Sequence, residues 1–176
     1  MLIKIIIMKI SLDKLKQNDS KRIFDLFKDE DVFFTLGSPF KFETITLDQE
    51  IEFVKNMIDS VKNKNDLFFA IKLNNELIGC ISTKGIDKKM RTAEVGYWIG
   101  KNYWGKGYAT LALKQFLNLA WETNLFDSLW AGSYENNFGS IKVLEKNGFK
   151  KFKEENIIHS VTDKIIINVY YKIFKS

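Results

Sequence analysis

The stretch Tyr97-Trp98-Ile99-Gly100-Lys101-Asn102-Tyr103-Trp104-Gly105-Lys106-Gly107-Tyr108-Ala109-Thr110 decides the fold. A strand-like run ends in it, two glycines flank one lysine, and a helix-forming run begins at once. A turn of that kind aims several backbone N–H groups at one point on the positive end of a helix dipole, which suits a phosphate or pyrophosphate. It is not a Walker loop, because Gly-x-x-x-x-Gly-Lys-Ser/Thr is missing. It is not the dinucleotide pattern Gly-x-Gly-x-x-Gly either, since Ala109 and Thr110 end that match. A plain strand-to-helix turn is the competing reading.

Upstream, Arg91 to Gly100 predicts a strand, preceded by strands at Leu67–Leu73 and Leu77–Thr83 with a tight turn at Asn74-Asn75. Thr46-Leu47-Asp48-Gln49 fits a capping box, and Ile51, Val54, Ile58 and Val61 repeat at helical spacing, so a helix runs to about Asn63. Asp31 to Glu43, with Gly37-Ser38-Pro39 and four phenylalanines, reads as a loop. Asn18 to Lys28 predicts a helix capped by Asn18 or Asp19, and the apolar run Leu2 to Leu12 a first strand, with Met8 an alternative start. Downstream, Tyr108 to Thr123 is a helix with Ala109, Ala112, Leu113, Phe116, Leu117 and Ala120 on one side. Ser128–Ser133 is a strand, Ser140–Lys146 a short helix closed by Gly148, and Phe149–Glu155 and Lys164–Phe174 are the last strands. The order β-α-α-β-β-β-α-β-α-β-β predicts an α/β (α+β) chain: a mixed, mostly antiparallel sheet flanked by helices, in a single domain spanning 1–176.

Composition narrows the chemistry. Cys80 is the only cysteine and His159 the only histidine, which excludes disulfide frameworks, cysteine zinc sites and histidine-rich metal centres. No metal is expected. Cys80 lies in an apolar strand, where a buried inert thiol is the simpler reading. A net charge of +5 admits an anionic ligand, but the lysines are scattered, so a solvated surface accounts for it without nucleic acid. Neither a span nor a targeting signal is legible, so no membrane partner is expected and the cytoplasm is the default compartment.

About thirty residues after the glycine turn comes Asn136-Asn137-Phe138-Gly139-Ser140-Ile141-Lys142-Val143-Leu144-Glu145-Lys146-Asn147-Gly148-Phe149. The pair of motifs resembles the GNAT superfamily of acetyl-CoA-dependent N-acetyltransferases, and within it the branch of ribosomal-protein N-terminal acetyltransferases. That superfamily binds coenzyme A through a turn of form Gln/Arg-x-x-Gly-x-Gly/Ala, and Trp104, Gly107 and Ala109 fall on its fixed positions. Trp104 departs from the usual residue, in a spelling typical of the branch. Asn137, Ser140, Leu144, Glu145, Lys146, Gly148 and Phe149 meet the branch's Asn-x-x-Ser-x-x-x-Leu-Glu-Lys-x-Gly-Phe. The element order matches from about Lys9 to Phe174.

The resemblance implies acetyl-CoA as cosubstrate and a primary amine as acceptor. Trp98, Ile99 and Gly100 would pair with the pantetheine arm on a strand that splays from Ser128–Ser133. Amides of Gly105, Lys106, Gly107, Tyr108, Ala109 and Thr110 would hold the pyrophosphate, Asn137 would bond the pantetheine region, and Lys142 or Lys146 the 3′-phosphate, unless each is a solvated lysine. For the base, Glu94 shares a strand face with Gly96 and Trp98; it acts on the amine or is a structural acceptor that orients the site. Many superfamily members carry a tyrosine acid where this chain has Leu144. Ser140 stands in as proton donor, or merely caps the helix, with Tyr134 a fallback. His159 is a loop histidine, more simply solvated than functional. The phenylalanines at 33–42 cover the acceptor cleft or pack a core.

The leading function is an acetyltransferase working by direct attack in a ternary complex. An α-amine titrates near about 8 and a lysine near about 10.4, so a weak base favours a protein N-terminus. A polyamine, aminoglycoside or amino acid is the alternative acceptor; the run Asp29-Glu30-Asp31 is a polycation pocket or a solvated loop. A non-catalytic acyl-CoA-binding module and a basic nucleic-acid binder are the competing classes. Pairing of two copies as a homodimer is left open.

Overall fold

The computed structural model describes residues 9–36, 44–63, 66–159 and 162–175. Seven strands form one sheet: β1 (Ile10–Lys14), β2 (Phe68–Leu73), β3 (Glu76–Asp87), β4 (Thr92–Ile99), β5 (Ser128–Tyr134), β6 (Lys150–Ile158) and β7 (Ile165–Phe174). Their order across the sheet is β1-β2-β3-β4-β5-β7-β6. Every pairing is antiparallel except β4 with β5, which is parallel. Among the described residues five α-helices cover the sheet: α1 (Ser20–Phe27), α2 (Glu30–Leu36), α3 (Leu47–Lys62), α4 (Tyr108–Glu122) and α5 (Phe138–Lys146).

Strand alternation splits the apolar residues between two cores. Ile71, Ile81, Ala93, Val95 and Ile99 bury against Ala112, Leu113, Phe116 and Leu117 of α4 and Leu144 of α5. On the other face Ala70, Leu77 and Cys80 meet Ile23 of α1 and Val54 of α3, with Trp98 packed beside them. Cys80 is free and buried, and burial pushes its thiol well above the ordinary range.

Local signals are realised where the chemistry is local. Asn74 and Asn75 both take positive φ, as a two-residue hairpin turn requires. Thr46 accepts from the Gln49 amide while the Gln49 side chain accepts from the Thr46 amide. After α5, the Gly148 N–H donates to Glu145 O and the Phe149 N–H to Leu144 O, a Schellman closure whose apolar pair, Phe149 and Leu144, is buried in one core.

Several expectations need correction. The first strand is Ile10–Lys14, and residues 2–8 lie outside the described residues. A short 3₁₀ turn over Gln17–Asp19 precedes α1, and Asp19 uses its carboxylate on the Lys16 amide rather than as a cap. The expected loop at 31–43 begins as a helix: Asp29 accepts from the amides of Asp31 and Val32 and so starts α2, whose acidic first turn suits the helix dipole. Gly37-Ser38-Pro39, Phe40 and Phe42 lie outside the described residues. Helix α5 opens at Phe138, two residues before the expected start.

Candidate active site

The parallel pair β4–β5 is in register over three residue pairs only, Thr92↔Ser128, Ala93↔Leu129 and Glu94↔Trp130. Beyond them β4 runs on to Ile99 and β5 to Tyr134 with no pairing between them. The sheet therefore splits open in its middle, and a cleft of about 750 Å³ fills the split. The expected splay is present.

The glycine turn forms one end of the cleft. Gly105 and Gly107 take φ +72° and +78°, the left-handed region that costs a side-chain-bearing residue about 1–2 kcal/mol. A Cβ at either would meet nothing within 4 Å, so the backbone angle and not crowding demands glycine there. Gly107 is the N-cap of α4, and the Leu111 N–H donates to its carbonyl, the first bond of the helix. The amides of Ala109 and Thr110 thus point out of the helix toward the cleft that both residues line. Trp104, at the position where the superfamily has Gln or Arg, donates from Nε1 to Ile99 O at 2.5 Å, tying the turn to the end of β4.

The other named residues divide. Trp98, Ile99, Trp104, Gly105, Gly107, Tyr108, Ala109, Thr110, Asn137, Glu94 and Ser140 all line the cleft, as do Lys142 and Lys146. Gly100 and Lys106 do not. The Gly100 amide donates to Ile78 O, with Leu26 closing over its Cα. The Lys106 ammonium donates to Asn102 O and lies over the Tyr103 ring.

Glu94 projects from β4 on the face it shares with Trp98 and pairs with Lys84 at 3.2 Å. Ser140 is not the cap of α5. Asn137 is, accepting from the Ser140 amide at 3.1 Å. The Ser140 hydroxyl instead lies 3.1 Å from the Tyr97 hydroxyl. Burial pushes the Tyr97 phenol well above its ordinary range, with the Ser140 hydrogen bond working against that, so the phenol stays protonated. Tyr97 was missed from sequence, although strand alternation puts it opposite Glu94, toward α5. Leu144 is fully buried in the core, so its side chain does not reach the cleft.

His159 is fully buried, contrary to the expected solvated loop residue. Its ring stacks on Phe34 of α2 at 4.3 Å and lies 4.9 Å from the Tyr134 ring. Nδ1 accepts from the Thr162 amide at 3.3 Å, leaving Nε2 to face Phe34 O. The phenylalanines of α2 divide their work: Phe33 is buried in contact with Phe27, while Phe34 lines the cleft. Asp31 pairs with Lys101 and Asp29 starts the helix, so two of the three acidic residues there are committed to structure.

A family description, the acetyltransferase (GNAT) domain, matches residues 9–150. The chain belongs to the GNAT family. It is an acetyl-CoA-dependent N-acetyltransferase. The uncharacterized N-acetyltransferase p20 of Bacillus licheniformis is 25% identical over 149 residues, covering 81% of this chain and 80% of that one. The ribosomal-protein-serine acetyltransferase of Escherichia coli is 28% identical over 111 residues, 61% of each chain. Among solved structures, RimL, a ribosomal L7/L12 alpha-N-protein acetyltransferase in complex with coenzyme A, superposes with a TM-score of 0.85 at 16% identity, covering 94% of this chain and 93% of that one. The microcin C7 self-immunity acetyltransferase MccE, in complex with acetyl-CoA and AMP, superposes at 0.82 with 17% identity, covering 95% and 93%. Among the described residues no helix is long and apolar enough to cross a membrane, and no cluster of three or more His, Cys, Asp or Glu is placed to hold a metal.

Proposed function

We propose that this GNAT protein acetylates the α-amine of a protein or peptide N-terminus, through one domain spanning 1–176 that works in the cytoplasm. The observation that carries the reading is the split between β4 and β5, open along Val95–Ile99 and bounded at one end by the glycine turn. A thioester enters the split from the α4 side and an amine from the α2 side. The amides of Gly105 to Thr110 and the α4 dipole hold the pyrophosphate. Lys142 and Lys146 face the 3′-phosphate, Asn137 bonds the pantetheine, and the backbone of β4 along Trp98 and Ile99 pairs with its amides.

The acceptor nitrogen needs its lone pair. Glu94 takes the ammonium proton, directly or through water. The nitrogen attacks the thioester carbon, and backbone N–H groups along β4 stabilise the oxyanion. The C–S bond then breaks as the nitrogen gives its second proton to water, and the Ser140 hydroxyl, held by the still-protonated Tyr97, protonates the departing sulfur and regains its proton from that water. Holding both reactants in one cleft supplies much of the rate. The weak basicity of an α-amine and the names of relatives that act on ribosomal proteins favour a protein N-terminus over a small-molecule amine. A homodimer is compatible with this reading, and sedimentation decides it.

The test is thiol release from acetyl-CoA with a panel of free-N-terminus peptides, Nα-acetyl-lysine amide and spermidine. Peptide turnover is expected to lead. Preference for spermidine would move the assignment to a small-molecule acetyltransferase. Coenzyme A binding without thiol release from any amine would leave a non-catalytic acyl-CoA module.

A further inference from the structure

Beside the main cleft lies a second cavity of about 250 Å³, on the α2 face of the sheet. Its wall includes Glu94, Trp130, Gly132, Tyr134, Asn168 and Tyr170. Strands β4, β5, β6 and β7 meet there, with Gly132 of β5 opposite Tyr170 of β7 and Tyr134 opposite Asn168. A polar residue has been brought deep into this wall. Asn168 is 8% exposed, and its Nδ2 sits 2.9 Å from where a Cβ at position 132 would be. A glycine at 132 is what lets the carboxamide lie on the β5 backbone.

The carboxamide lies beside a polar chain on β6 and β7. The Tyr170 hydroxyl, two residues further along the strand, donates to Glu155 Oε1 at 2.5 Å. Glu155 is in turn paired with Lys153, whose ammonium lies over the Tyr170 ring. Glu155 is thus paired with its own neighbours away from the cavity lining, and Glu94, whose partner Lys84 is exposed, is the carboxylate at the cavity wall. The Asn168 amide, with two donors and an acceptor, lines the cavity.

These groups fit an acceptor with one ammonium and a neutral polar group beside it. A polyamine would bring further cations with no carboxylate to meet them. We propose that Asn168, held over Gly132, is a specificity-determining residue that donates to the first peptide carbonyl of the acceptor. This rests on the acetyltransferase reading and deepens it: Asn168 separates peptide α-amines from simple alkylamines.

The experiment compares the full chain with Asn168→Ala and Gly132→Ala, using acetyl-CoA and two probes, a Ser-Ala-Ala tripeptide amide and n-butylamine. In Asn168→Ala, kcat/KM for the peptide is expected to fall about tenfold, carried by KM, as loss of one buried hydrogen bond does. Butylamine turnover and the KM for acetyl-CoA are expected to stay within about twofold. In Gly132→Ala the added Cβ displaces the carboxamide and is expected to give the same selective loss, which keeps the test open should Asn168→Ala fail to fold. Equal losses on both amines, or an unchanged peptide value, overturn the proposal. Wild-type protein that acetylates butylamine and ignores the peptide overturns it while leaving the acetyltransferase standing, and thiol release with spermidine but neither probe overturns it together with the N-terminal acceptor.

Discussion

Glu50 lies in the first turn of α3, 8% exposed, and its Oε1 has no hydrogen-bond partner among the described residues. Burial raises its carboxyl from 4.5 to about 7. A carboxyl whose folded value is raised contributes its stability below the unfolded value and loses it as pH rises through the folded one. Between about pH 5 and about pH 8, wild type should therefore lose on the order of 2 kcal/mol that Glu50→Gln retains. Urea unfolding of both proteins at the two pH values checks this, and parallel losses would show that Glu50 ionises at no cost. Glu94 sits at the opposite extreme, at a cavity wall with Lys84 as its partner. If it takes the amine proton, Glu94→Gln lowers kcat by about 10²–10⁴ while calorimetric affinity for coenzyme A is unchanged. A loss confined to KM would make it an orienting acceptor instead. Glu94 was legible because alternation along one strand assigns its face. The partner of Ser140 was not, because Tyr97 lies 43 positions away and only the folded sheet brings the two hydroxyls to 3.1 Å.

At the scale of elements, short-range chemistry could be read directly. The Thr46–Gln49 box, the Asn74-Asn75 turn and the Gly148 closure each depend on residues within about five positions, and each stands where the pattern put it. Helix α2 was missed for the converse reason. Seven residues cannot sustain a helix in water, and it exists because Phe33 buries against Phe27 and Val32 enters the core. Its start was nonetheless written in Asp29, a good N-cap followed by two acids. The glycine turn is the element on which cofactor affinity depends. Gly107→Ala forces an alanine to φ +78° at the N-cap of α4 and should cost about 1–2 kcal/mol of stability. Relaxation of that strain turns the Ala109 and Thr110 amides away from the pyrophosphate, so coenzyme A should bind about tenfold more weakly. Melting and calorimetry on the same sample separate the two effects; weaker folding with undiminished affinity would move the pyrophosphate off this turn.

At the scale of the molecule, the order of elements apart from α2 was legible from pattern, but not the place of β7 between β5 and β6 or the early end of the β4–β5 ladder. Both are set by contacts between distant segments, and the split had been expected only from the family resemblance. The burial of His159 is of the same kind: its ring packs onto α2 at Phe34, 125 positions away in sequence. The split has a consequence that hydrogen exchange can read. Over Thr92–Glu94, β4 is paired on both sides, with β3 and with β5. Over Val95–Ile99 it keeps β3 alone, so the amides that point to the cleft have no strand to bond. Those amides should exchange at least about tenfold faster than Ala93 and Glu94 in the free protein, since local protection follows hydrogen bonding. Saturating coenzyme A should slow them, because the pantetheine supplies the missing acceptors, while Thr92–Glu94 stays unchanged. Slowing spread evenly over β4 would mean that coenzyme A tightens the whole sheet, and slowing confined to residues 105–110 would mean that only the pyrophosphate is held and the arm lies elsewhere.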